Sequence, residues 1–132
     1  MKRWVVRSGG FAALALCLGV PPVAAQEIAR GIEARELLAR IEGGSPPTIL
    51  DVRRPEEFAE GHISGAINIP FTELEARVSE LGIEKSAELV VYCRTGRRAA
   101  IAEATLSELG YTNLRDLDGH ITAWSEAGYP LE

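Results

Sequence analysis

Leu89-Val90-Val91-Tyr92 is an unbroken apolar run, and Cys93-Arg94-Thr95-Gly96-Arg97-Arg98 follows it at once. Four apolar residues without alternation read as a strand buried on both faces, as in a parallel sheet. Ala99, Ala102, Leu106 and Leu109 then recur at helical spacing until Gly110, so a helix opens about four residues after Cys93. A chain that passes from strand to helix over so few residues must turn sharply, and Gly96 permits the turn. Ligands of such sheets bind beyond the carboxyl ends of the strands, which is where Cys93 falls. The loop's backbone N–H groups, just ahead of the helix, form an anion-binding nest. Arg94, Arg97 and Arg98 add three guanidinium groups. Helix N-terminus and cations together favour negative charge on the cysteine sulfur. A thiolate in a cationic cradle is a nucleophile aimed at an anionic substrate.

The flanking sequence extends the same architecture. Ala34, Leu37, Leu38 and Ile41 make one apolar helix face that ends at Gly43-Gly44, and Ser45-Pro46-Pro47 is a loop. Thr48–Val52 reads as a short buried strand. Pro55 with Glu56 and Glu57 predicts a helix first turn, and that helix stops at Gly61. Ala66–Ile69 is a second strand, closed by Pro70. Thr72 with Glu75 predicts a capping box for a helix carrying Leu74, Val78 and Leu81 up to Gly82. Asn113–Leu117 is expected as an edge or penultimate strand, and Ile121 with Trp124 marks a final short helix. Strands alternating with helices make an α/β fold with a mainly parallel sheet.

The 132 residues suit one domain, and the 46% hydrophobic and 25% charged fractions are those of an ordinary globular protein. The N-terminus has a separate character. Lys2, Arg3 and Arg7 precede an apolar run from Phe11 to Val20, then Pro21-Pro22 and Val23-Ala24-Ala25 lead to Gln26. A basic head, a short apolar stretch and small residues at the end predict a secretory signal peptide over residues 1–25. The run is too short to span a bilayer. Leu16 before Cys17 lacks the small residue that a lipoprotein signal would need. Residues 26–132 then form the mature domain, periplasmic or secreted, with no stable membrane insertion after cleavage. Its formal charge moves from −5 to −8, because three cations leave and no acid precedes Glu27. An acidic domain is a poor partner for nucleic acid. Cys17 leaves with the leader, so Cys93 is the lone thiol of the mature chain, in a compartment that oxidises thiols. Such a cysteine is either a reactive thiol or a small buried hydrophobe, and the cations beside it favour the first.

Taken in order, several stretches resemble the rhodanese family across nearly all of residues 26–132. They are Asp51-Val52-Arg53 with Pro55-Glu56-Glu57-Phe58, Gly61-His62-Ile63 with Gly65–Pro70, the Cys93 loop, and Asp118-Gly119-His120-Ile121 with Trp124. The resemblance implies a three-layer sandwich, a mainly parallel sheet flanked by helices. It implies a cysteine, Cys93, that takes sulfane sulfur from a donor such as thiosulfate and passes it from a persulfide to a thiophilic acceptor, a small molecule or a protein thiol. Arg94, Thr95, Gly96, Arg97 and Arg98 would cradle the persulfide and the anionic donor, with Arg98 expected to matter most and Arg94 least. No metal or organic cofactor is implied. His120 stands where the family's last motif usually has a second glycine, and the plain expectation for it is an exposed residue at a helix start.

Asp51 and Arg53 follow a strand at the same sheet edge and are expected either to brace the loop or to form a structural ion pair without effect on the chemistry. His62 is expected to be a turn residue satisfied by backbone, and Phe58 and Trp124 to be core aromatics. Tyr92 is expected in the sheet or lining the pocket. Two other functions share parts of this pattern. Cysteine phosphatases place the arginine six positions after the cysteine, where this chain has Ala99, and the narrower loop fits sulfur better. A non-catalytic binding or redox-sensing module would be expected to lack the cysteine that this chain keeps.

Overall fold

The computed structural model describes residues 28–132, so the expected leader lies outside the described residues. Five parallel strands form one sheet in the order β1-β5-β4-β2-β3. They are β1 (Arg30–Ile32), β2 (Thr48–Asp51), β3 (Ile67–Asn68), β4 (Leu89–Tyr92) and β5 (Leu114–Leu117). The helices are α1 (Ala34–Glu42), α2 (Pro55–Glu60), α3 (Leu74–Arg77), α4 (Arg97–Glu108) and α5 (His120–Glu126).

The central strand shows why the fold has three layers. All four residues of β4 are buried, and they alternate between two cores. Leu89 and Val91 pack with Ala99, Ala102 and Leu106 of α4 and with Leu74 of α3. Val90 and Tyr92 pack on the opposite face with Leu37 of α1 and with Ile121 and Trp124 of α5. Period-two alternation thus supplies both faces from one apolar run, and each face is covered by helices. Among the described residues, no helix is long and apolar enough to cross a membrane.

β5 is penultimate, because β1 pairs beyond it through Arg30–Ile32 against Arg115–Leu117. Three residues with Gly31 at the centre carry no legible periodicity, so β1 escapes sequence reading. The expected capping box at Thr72 and Glu75 does not form. Phe71–Glu73 and Val78–Leu81 are 3₁₀ turns on either side of the single-turn α3, whose N-cap is Glu73 without a side-chain cap bond. Burying Leu74 and Leu81 against α4 decides this segment rather than local capping. Phe58 is half-buried and stacks on His62 at 3.7 Å between ring centroids, so it is not a core aromatic, whereas Trp124 is.

From β2 the chain moves outward to β3, and from β4 it moves the other way to β5. Adjacent strands whose connections diverge leave a crevice at their carboxyl ends. Asp51 and Cys93 stand at that crevice, Asp51 as the last residue of β2 and Cys93 as the residue after β4.

Candidate active site

Cys93 is 1% exposed, and its Sγ accepts two backbone N–H groups, from Gly96 at 3.1 Å and from Ala99 at 3.4 Å. The loop can close this tightly because Gly96 adopts φ 125°, which L side chains rarely reach. The loop is also tied from outside. The Cys93 carbonyl accepts Ile121 N–H at 3.2 Å, and the Arg94 carbonyl accepts the Thr122 N–H at 3.3 Å and hydroxyl at 2.8 Å. The backbone N–H groups of Arg94, Thr95, Arg97 and Arg98 have no acceptor among the described residues. These free donors at the start of a twelve-residue helix are what an anion-binding nest requires.

The three arginines are not equivalent. Arg98 makes a bidentate pair with Glu57 of α2, at 2.6 Å and 3.0 Å, which joins α4 to α2 across the crevice. Hydrogen bonding from Arg98, against the opposing effect of burial, holds the Glu57 carboxyl down at about 2. Arg94 and Arg97 are exposed and make no ion pair among the described residues. Thr95 is exposed beside them. A cleft of about 380 Å³ opens next to the loop, bordered by Arg53, Glu57, Gly61, Arg94 and Thr122.

Asp51 is fully buried and accepts the Arg53 N–H at 2.9 Å and its guanidinium at 2.6 Å and 3.1 Å. Arg53 also donates to the Gly61 carbonyl at 2.8 Å and lies over the Tyr92 ring. Their hydrogen bonds therefore fix the turn after β2 and the end of α2, while the Cys93 loop takes none of them. Tyr92 belongs to the sheet, with its hydroxyl accepting Ile63 N–H at 3.1 Å.

A model of the rhodanese-like domain matches residues 33–127. The chain belongs to this family. A sulfurtransferase of Allochromatium vinosum is 35% identical over 100 residues, which covers 76% of this chain and 92% of that protein. A thiosulfate sulfurtransferase of Escherichia coli is 40% identical over 70 residues, covering 53% and 67% respectively. Among solved structures, a rhodanese-related protein from Thermoplasma volcanium is 38% identical with a TM-score of 0.67, covering 78% of this chain and 97% of its own.

Within this rhodanese-like domain His62 is held structurally. Its Nδ1 lies 2.9 Å from the Phe58 carbonyl, and its backbone pairs with Glu132 at the chain end. His120 departs from expectation. It is 5% exposed, with its imidazole against the Cys93 loop, rather than an exposed helix-start residue. Its φ of 53° keeps the left-handed turn that a glycine would adopt more readily. Two acids close to the Cys93 loop escaped the sequence reading. Glu57 was legible only as a helix first-turn acid, and its pairing with Arg98 spans 41 residues of sequence. Glu103 occupies an apolar-face position of α4, and nothing local marks it.

Proposed function

We propose that the protein is a sulfurtransferase that moves sulfane sulfur from an anionic donor such as thiosulfate to a thiophilic acceptor through a persulfide on Cys93. The observation that carries this reading is the Cys93 Sγ held under the Gly96 and Ala99 N–H groups at the head of α4. Hydrogen bonds from backbone N–H groups stabilise negative charge on sulfur and give the nucleophile without a dedicated base. The Cys93 thiolate attacks the outer sulfur of thiosulfate. A new S–S bond forms, the donor's S–S bond breaks, and sulfite leaves with the electron pair. The free N–H groups of the loop and the exposed Arg94 and Arg97 can hold donor oxygens during this step. An acceptor such as cyanide or a thiolate then attacks the outer sulfur of the persulfide, and the Cys93 thiolate returns.

The deciding experiment is intact-mass analysis after incubation with thiosulfate, followed by cyanide. The wild type should gain the mass of one sulfur atom and lose it to cyanide, while Cys93→Ser should do neither. An adduct that persists in Cys93→Ser, or none in the wild type, overturns the proposal. We further propose that residues 1–25 direct bacterial export, so that the exported chain begins at Gln26. The basic head and short apolar run support this. A full-length cytoplasmic product would contradict it.

A further inference from the structure

His120, Asp116 and Glu103 lie together behind the Cys93 loop, His120 and Glu103 buried and Asp116 half-buried. Cys93 N–H points at His120 Nδ1 at 3.3 Å. A backbone N–H can only donate, so Nδ1 must be the unprotonated nitrogen and the ring proton sits on Nε2. Nε2 faces Asp116 Oδ2 at 3.6 Å. The same ring fills the space beside Gly96, where an added Cβ would meet Nε2 at 2.9 Å.

Glu103 completes the cluster. It is 7% exposed, and its buried Oε2 has no hydrogen-bond partner. Burial, with the Asp116 carboxylate beside it, pushes the Glu103 carboxyl well above the ordinary range, which favours its protonated form. Burial opposes the charge on Asp116, but the His120 and Glu103 groups facing it outweigh that and hold the carboxyl below its ordinary value. The charge therefore rests on Asp116, which orients the imidazole. A polar cluster of which two members are buried is costly to build unless its groups are paired. His120 also tolerates a left-handed backbone that few non-glycine residues adopt.

We propose that His120 is a positioning residue for sulfur transfer: its Nδ1 holds the Cys93 N–H and its ring supports Gly96, so that the loop N–H groups stay aimed at Sγ. The inference rests on the sulfurtransferase reading for its kinetic consequence only.

The test compares His120→Asn with His120→Gly. Asparagine tolerates the left-handed region and offers an oxygen near the Nδ1 position. Glycine fits the backbone best but offers no acceptor. The donor half-reaction should stay within about three-fold of wild type in the asparagine variant and fall by about ten-fold in the glycine variant, the loss of one oriented hydrogen bond. A residue that only shapes the turn would give the reverse order. Glycine within a factor of about two of wild type overturns the proposal, as does a rate order that simply follows urea stability. A folded asparagine variant slowed by more than about ten-fold also overturns it, which keeps the decision open to test if the glycine variant fails to fold. Nitrogen-15 shifts of the wild-type imidazole should show the proton on Nε2, and a proton on Nδ1 overturns the assignment outright. The tautomer is read without turnover, so its failure and the failure of the sulfurtransferase reading are separate results.

Discussion

The carboxyl ends of β2 and β4 lie side by side, and each leads through a tight loop into a helix, yet they treat their acceptors differently. At the end of β2 the Asp51 carboxylate is closed off by Arg53, which also reaches the Gly61 carbonyl. At the end of β4 the Cys93 sulfur is met by backbone N–H groups, while the neighbouring N–H groups and Arg94 and Arg97 remain unpaired among the described residues. One loop uses charge inward to hold a turn. The other leaves its donors unpaired among the described residues. The difference teaches that charge beside a sheet's crevice is not in itself evidence of chemistry, and that the partner of each charge decides its role.

Asp51→Ala breaks the closed end and should have the largest effect on stability. It strands a buried guanidinium, which typically costs about 3–5 kcal/mol. Urea unfolding should show that loss, with transfer by the remaining folded protein within a few-fold of wild type. Full stability with abolished transfer would mean that the β2 end belongs to the reaction.

Arg94→Ala and Arg97→Ala address the open end. A charge-assisted hydrogen bond to a donor oxygen contributes about 1.5–3 kcal/mol, so each removal should slow the donor half-reaction by about 10- to 150-fold. Cyanide attack on the persulfide should change less, because no oxyanion needs to be held. Donor rates within a factor of about two for both variants would leave the backbone N–H groups as the whole cradle. Arg98→Ala is a different experiment, because Arg98 is engaged by Glu57 and its loss loosens α2 from α4.

The smallest effect concerns the link between the two ends. Glu57 sits at about 2 against an ordinary 4.5, so its pair with Arg98 stabilises the fold fully above about 4.5 and is lost as pH falls toward about 2. Glu57→Gln should therefore cost about 1–2 kcal/mol near neutral pH and flatten stability across that acid window. A variant with the wild-type acid dependence would assign the window to other carboxylates.

Much of the site was legible because its chemistry is local. Cys93, Gly96 and the arginines fall within one six-residue stretch, and a strand followed at once by a helix leaves the loop few shapes. The same locality made β4, α1 and α4 readable, since an apolar run or stripe specifies burial wherever it lands. It failed at β1 and around α3. Three residues pair only because β5 offers an edge, and Leu74 and Leu81 are set by packing on α4 rather than by a capping motif.

Sequence by itself determined the α/β class, the order of the central elements and the place of the cysteine, because burial periodicity and backbone turns act over a few residues. Only the tertiary structure decided which charges are already satisfied. Glu57 reaches Arg98, Asp51 turns to Arg53, and His120 folds in behind Cys93 through contacts between distant segments. The physical reason is that a charge or an imidazole lone pair acts over ångströms in space, and no local pattern records which partner folding will bring there.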